Sequence, residues 1–288
     1  MKNAFQKDDA FIADVKRALD SGTSRLWWLG QSGFLIVQKG QAIALDPYLS
    51  DSLTIKYANT DKPHTRMTER VVAAEAFASI GCIQLVTSSH NHTDHLDAET
   101  LDPLLLKNPS ALLVIPAANR DFVLERLGKS VSSGLIQLDQ EKSWSDHQFT
   151  VTGIAAAHPK ADRDSVGRHR FLGYVIEWLG VTIYHSGDTL WHAPAISALR
   201  HFKIDIALLP INGARPERHV AGNLDGPEAA RFARSIGART VIPCHYDLFE
   251  FNTASPNEFV AECQRLKQRC YVLQNGEGMD LSNHQTES

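Results

Sequence analysis

Apolar positions along the chain alternate between two periods. Over residues 5–20, Phe11, Ile12, Val15 and Leu19 recur at helical spacing ahead of Gly22, and predict an N-terminal helix. From Arg25 onward the runs shorten. Residues 25–30, 33–37 and 42–47 are brief apolar stretches separated by Gly and Lys-Gly turns, which predicts an antiparallel meander. Later runs at 83–87, 111–115, 134–138, 148–157, 181–184 and 240–245 predict further strands. Residues 98–107, 117–127, 226–235 and 257–268 predict helices. Pro116 stands where a first helical turn tolerates it, and Asp225-Gly226-Pro227-Glu228 has the spacing of a capping box. Residues 48–70 carry no clear period, and so long a loop in a compact domain is a candidate rim or lid for a site. Mixed βα units and antiparallel strands suit an α/β sandwich of two sheets with helices outside.

Against this pattern one polar stretch stands out: His90-Asn91-His92-Thr93-Asp94-His95, directly after the apolar run 83–87. A loop leaving a strand end aims His90 and His92 at one point and Asp94 and His95 at a second close by. Imidazole and carboxylate are ligands for Zn²⁺ and related divalent ions without any thiolate. A histidine-rich surface loop is the plain alternative, but four such groups packed together repel on protonation and have no evident structural use.

This HxHxDH pattern resembles the signature of metallo-β-lactamase-fold hydrolases, and the resemblance implies a four-layered αβ/βα sandwich with one or two metals at the sheet edges. It also implies later ligands, and three strand ends provide them. The small-residue run 149–157 delivers His158. The run 181–184 leads into His185-Ser186-Gly187-Asp188, where a carboxylate on a sharp turn can bridge two metals; otherwise Asp188 would cap the next helix. The run 240–244 delivers His245. The implied set is His90, His92 and His158 for one ion, Asp94, His95 and His245 for the other, and Asp188 between. Asp46, at a strand end before Pro47, either caps a turn or orients the histidine loop. Tyr184–Asp188, Ile204–Leu209, His245-Tyr246-Asp247-Leu248-Phe249 and the opening Trp27–Gly33 are similar to the L-ascorbate-6-phosphate lactonase family over about Leu26 to Gly278. The founding member of that family is longer than this chain.

The expected chemistry is hydrolysis by a metal-bound hydroxide, with two divalent ions, Zn²⁺ or Mn²⁺, acidifying a shared water. The resemblance points to opening of a lactone of an anionic sugar acid or sugar phosphate. A phosphodiesterase of the same fold and a non-catalytic metal-binding protein are the alternatives. Asp94, His185 or Tyr246 could relay the proton to the leaving group. Arg163, Arg168 and Arg170 after His158, and Asn212 and Arg215 further on, are candidate contacts for an anionic substrate, since arginine favours bidentate pairing with phosphate or carboxylate.

Composition narrows the partners. The 288 residues are 43% hydrophobic with a formal net charge of −4, which supports a sizeable core and gives no basic footprint for nucleic acid. No apolar run approaches a membrane span, and residues 1–9 lack the apolar core of a signal peptide. The cysteines Cys82, Cys244, Cys263 and Cys270 form no CxxC pair. Cys263 and Cys270 are expected on one helix, about 10 Å apart along its axis and beyond disulfide reach. Reduced thiols suit a cytoplasmic protein. With no linker or repeat, residues 1–288 read as a single domain with a helical extension over 1–24 and a frayed tail over 281–288. A homo-oligomer is left open.

Overall fold

The structure, a computed structural model, describes residues 1–131, 134–218 and 220–281. Helix α1 (Asp8–Ser21) leads into strands β1 (Arg25–Gly30), β2 (Gly33–Gln38) and β3 (Gln41–Leu45), the expected antiparallel meander. Then follow α2 (Ser52–Tyr57), α3 (Ala74–Ala78), β4 (Ile83–Thr87), α4 (Ala98–Lys107), β5 (Leu112–Pro116), α5 (Arg120–Leu127) and β6 (Leu135–Leu138). The second half holds β7 (Ser143–Ser145), β8 (Phe149–Ala155), β9 (Leu172–Trp178), β10 (Val181–His185), α6 (Ala193–Leu199), β11 (Ile206–Pro210), α7 (Gly226–Ser235), β12 (Thr240–Cys244), α8 (Asn257–Leu266) and β13 (Arg269–Cys270). Strand β14 (Gly278–Asp280) returns to the first half.

Among the described residues two seven-stranded mixed sheets result, in the orders β14-β1-β2-β3-β4-β5-β6 and β13-β12-β11-β10-β9-β8-β7. Each is antiparallel on one side and parallel on the other: β3 through β6 run parallel, as do β10 through β13. Strand alternation sorts the first sheet's side chains onto two faces. Leu26, Trp28, Phe34, Ile36, Ile43 and Leu45 join the core shared with the second sheet. Trp27, Leu29, Leu35, Val37, Ala42 and Ala44 face α1, α3, α4 and α5. This is the α/β sandwich expected, with helices outside.

The details differ at several places. The unpatterned segment 48–70 contains α2. The capping box at Asp225 and Glu228 is formed, each side chain bonding the other's backbone N–H. Cys263 and Cys270 do not share a helix. Lys267 takes a left-handed conformation (φ 54°) that ends α8, the chain doubles back into β13, and the two thiols come into hydrogen-bond contact. Leu281, expected in a frayed tail, is buried and donates its N–H to Ser24 O; the rest of that tail, 282–288, lies outside the described residues. No helix among the described residues is long and apolar enough to cross a membrane.

Helix α1 is pinned by a polar contact. Buried Trp27 Nε1 donates to Asp14 Oδ2 at 2.8 Å, and Gln6, Arg17 and Arg25 donate to the same carboxylate. Burial works against the Asp14 charge, but these donors together hold its pKa below the ordinary carboxylate value. Asp14→Ala leaves the indole N–H without its partner, so denaturant melts should show a loss of about 1–3 kcal/mol at pH 7. A depressed folded-state pKa stabilises above the unfolded value of about 3.9 and is lost as pH falls through the folded value. The deficit of the variant should therefore shrink below about pH 3.9; a deficit constant down to pH 2 would assign it to packing alone.

Candidate metal centre

The carboxyl ends of the parallel strands in both sheets meet at one edge, where ligands gather in open α/β sheets. Asp46 follows β3, the loop with His90, His92, Asp94 and His95 follows β4, Asp188 follows β10, and His245 follows β12. His158 arrives from the end of β8. The left-handed backbone of Gly187 (φ 56°) lets the chain pass over Ser89, whose Cβ would lie 2.4 Å from an added Cβ.

The structure brings the seven expected ligands together. Donor atoms of His90, His92 and His158 lie within 4.8 Å of one another, as do those of Asp94, His95 and His245, and those of His90, His95 and Asp188. Asp188 stands between the first two groups: its Oδ1 is 3.3 Å from His95 Nε2, and its Oδ2 is 3.5 Å from His158 Nε2 and 3.4 Å from His245 Nε2.

Three rings are turned the same way. His95 Nδ1–H donates to Asp46 Oδ2 at 2.7 Å. Ser89 Oγ donates to that oxygen at 2.5 Å and so accepts from His90 Nδ1–H at 3.0 Å. His158 Nδ1–H donates to Gly222 O at 2.9 Å. Each ring therefore presents Nε2 to the cluster, the arrangement that outer hydrogen bonds impose on metal-binding histidines. His90 Nε2, His95 Nε2 and Asp188 Oδ1 are buried without a hydrogen-bond partner among the described residues. Buried polar atoms are normally paired, so inward-facing orphans of this chemistry fit a divalent cation.

The electrostatics agree. Asp46, Asp94 and Asp188 crowd one place, and the ion-pair partners found for them are all histidines. Burial disfavours charge on His95 and His245, yet the facing carboxylates outweigh it, holding His95 well above the ordinary imidazole value and His245 up at about 9. Burial would likewise raise the carboxylates, but His245 and His95 draw Asp188 well down, His95 and His245 draw Asp94 down, and His185 and His95 lower Asp46. His90, which lacks so close a carboxylate, is pushed well below normal by burial and then by neighbouring imidazoles. The cluster therefore favours positive charge at its centre.

The other expected residues lie elsewhere. Asp46 is fully buried beneath the histidine loop, where it also accepts from Thr87 Oγ1 and Ser89 N. His185 is buried behind the cluster, its Nε2–H donating to Ser32 O and its Nδ1 3.8 Å from Asp46. Tyr246 stacks on Trp28 at 4.4 Å and donates its hydroxyl to Leu273 O; neither it nor His185 lines the cleft over the cluster. The arginines after His158 make their contacts within their own loop. Arg163 donates to Gly167 O, Arg168 pairs with Asp164 at 2.7 Å, and Arg170 sits 3.7 Å from Asp162. Arg215 is exposed and also away from the cleft lining. Asn212 is buried, bonded to Asn223 and to Asn252, which does line it. His219, four positions after Arg215 in the chain, lies outside the described residues.

Sequence reasoning did not single out Gln31 on the cleft, while Leu53, Lys56, Tyr57 and His64 come from the segment 48–70 expected to form a rim. Gln31 Nε2 lies 2.8 Å from Asp94 Oδ2, to which it donates, and 3.0 Å from His245 Nε2. Its position between Gly30 and Gly33 in a strand–turn–strand was the available signal. The cleft holds about 360 Å³.

A model of the beta-lactamase superfamily domain matches residues 25–245. The chain belongs to the beta-lactamase superfamily. A UPF0173 metal-dependent hydrolase of Pyrococcus furiosus is 28% identical, the match covering 89% of this chain and 99% of the relative. Another, of Caldivirga maquilingensis, is 26% identical over 89% of this chain and 97% of the relative. Igni18, a metallo hydrolase of Ignicoccus hospitalis, shares the fold at TM-score 0.62 and 22% identity, covering 89% of this chain and 97% of that one.

The hydrogen bonds beneath the cluster generate a direct test. Asp46→Asn keeps the shape but presents an amide to His95. Metal affinity, titrated calorimetrically, should fall about 10–100-fold; an unchanged affinity would mean that the ring orientation does not depend on Asp46.

Proposed function

We propose that this superfamily member is a metal-dependent hydrolase of ester-type bonds in small molecules, with lactones as the substrate class. The observation that carries the reading is the set of inward-facing Nε2 atoms of His90, His95 and His158 around Asp188, at the base of an open cleft. The similarity to the metal-dependent hydrolases of Caldivirga maquilingensis and Pyrococcus furiosus supports it. The lactone class rests on the motifs around Asp188 and His245.

Two divalent ions, Zn²⁺ or Mn²⁺, complete the proposed centre: His90, His92 and His158 hold one, Asp94, His95 and His245 the other, and Asp188 stands between. When bound, such ions supply a Lewis acid and a water acidified toward neutrality. The protein's part is orientation and proton handling. Gln31 keeps the Asp94 carboxylate turned to the cluster. Asn91, Thr93 and Asn252 give the cleft neutral polar groups that orient a polar substrate. His64 Nδ1–H donates to Lys62 O at 3.1 Å, which leaves Nε2 as the ring atom to exchange a proton with a leaving group. Lys56 lines the cleft with no carboxylate partner found among the described residues, and suits a substrate with one negative charge. The four free cysteines suit the reducing cytoplasmic setting included in this proposal.

Purified protein from metal-supplemented medium should carry up to two divalent ions per chain and open members of a lactone panel, with activity abolished by chelator. Metal-free protein whose activity ignores chelator would overturn the reading, and a phosphodiester turned over faster than every lactone would favour a phosphodiesterase.

Asp188→Ala should lose metal occupancy and reduce activity by more than the roughly 10–100-fold typical of residues that only support a ligand, with unchanged far-ultraviolet circular dichroism. Normal occupancy and turnover would reduce Asp188 to a turn residue.

A further inference from the structure

The cleft is not uniformly polar, for one wall is made of rings. Tyr57 stacks on His64 with centroids 4.3 Å apart and planes 21° apart. His64 in turn meets Phe251 at 4.4 Å and Phe249 at 5.2 Å. With Leu53, these residues line the same cavity as His92, Asp94, His158, Asp188 and His245. Tyr57, His64 and Phe251 are only half-buried, so their faces are not fully covered by the fold.

The wall is preorganised. Tyr48, Leu53, Leu248 and Phe249 form a small apolar cluster of their own beneath Tyr57 and Phe251. Leu53 N–H donates to the Tyr48 hydroxyl at 3.1 Å, and Thr54 Oγ1 donates to His64 O at 2.8 Å. The rim segment and the chain after His245 are also joined through their backbones: Met67 N–H donates to Leu248 O at 2.8 Å and Glu250 N–H to Thr65 O at 3.0 Å. Rings held this way bind without paying the entropy of being ordered. Cation chemistry is sparse by comparison. Arg126 lines the cleft with its Nη1 donating to Asn91 O and Leu96 O and its guanidinium 4.4 Å over Phe122, and Lys56 lines it with Nζ 5.2 Å over the Tyr57 ring. Lys56 and Arg126 are the only lysine or arginine side chains lining the cleft among the described residues.

We propose that Leu53, Tyr57, His64, Phe249 and Phe251 form a substrate subsite for a flat apolar group, so that the preferred substrates are aromatic or unsaturated lactones and esters of low charge, not phosphorylated sugars. The inference rests on the hydrolase reading for the chemistry and on the ring wall for the specificity. Aromatic side chains favour offset-stacked and edge-on contacts with another ring, and small-molecule sites are lined mainly by such residues with a few placed polar groups. A polyhydroxylated chain would set its hydroxyls against Leu53, Phe249 and Phe251, where they find no partner.

The test compares three δ-lactones on the metal-loaded protein: dihydrocoumarin, δ-valerolactone and D-glucono-δ-lactone. Dihydrocoumarin should have a kcat/KM at least tenfold above the other two. In Tyr57→Ala and in Phe251→Ala the ratio of dihydrocoumarin to δ-valerolactone kcat/KM should fall about three- to tenfold, with metal content unchanged. Phe251→Leu, which keeps apolar bulk without a ring, should fall between wild type and Phe251→Ala. Calorimetric binding of 3-(2-hydroxyphenyl)propanoate against 5-hydroxypentanoate gives a readout free of turnover, and the aromatic acid should bind more tightly by a margin that Phe251→Ala reduces. Turnover of all three lactones with no ring preference in rate or binding would overturn the subsite and leave the hydrolase reading standing. A ring preference in binding without turnover of any lactone would do the reverse. Preference for the gluconolactone would overturn the subsite outright.

Discussion

A buried carboxylate organises the site. Asp46 has no solvent exposure, and a buried carboxylate is tolerable only where hydrogen bonds and opposite charge replace water. It receives Thr87 Oγ1, the N–H and Oγ of Ser89, and His95 Nδ1, with His185 behind. Every one of those donors except His185 lies on the end of β4 or the loop after it. One side chain therefore pins the histidine loop to the end of β3, fixes the tautomer of His95 directly, and fixes that of His90 through Ser89. Without Asp46, His90 and His95 would have no common reason to present Nε2 to the same point.

The second sheet supplies the other half of the constraint. Its parallel strands β10 and β12 end level with the parallel strands of the first, so Asp188 and His245 arrive opposite the histidine loop. Bringing them there takes unusual backbone. Asp46, His245 and Gln31 hold positive φ values of 39°, 61° and 50°, a region that non-glycine residues enter at a cost of order 1–3 kcal/mol when the surroundings impose it. Hydrogen bonds oppose that cost: Gln31 O accepts from both His245 N and Trp28 Nε1. The same link joins an edge turn of one sheet to a ligand on the other, and its strain is concentrated where geometry matters most.

Electrostatics and shape then divide the work. The cluster concentrates negative charge around a point, which selects for a cation. The cleft above it is weakly charged and walled by rings on one side, which selects among the molecules that approach. The arginines near His158 and Arg215 take little part in either. Asp162 and Asp164, interleaved with them in the chain, hold Arg170 and Arg168 within the loop.

How far all this was legible follows from the range of each interaction. The histidine motif, the carboxylate after Gly187 and the strand-end histidines could be read from the chain because local geometry places them: a strand end followed by a tight turn aims its next polar residue at the sheet edge whatever surrounds it. The two sheets were legible for the same reason, through periods of two and of 3.6. Arg168 looked like a substrate contact because its ion pair with Asp164 depends on a loop conformation that no periodicity reports. Tyr246 looked like a proton relay because the strand's alternation does not survive the left-handed turn at His245, which turns its ring onto Trp28. Cys263 and Cys270 came together through one left-handed residue, Lys267. His64 was legible only as part of an unpatterned rim segment, and Gln31 was invisible as a site residue, since it reaches the cleft from a distant stretch of chain. The sequence by itself determined the strand ends, the metal-binding chemistry and the superfamily likeness, all set by neighbours within a few residues. Only the tertiary structure decided which charges remain unpaired and which rings face the cleft, because pairing and exposure depend on what packs nearby from far along the chain.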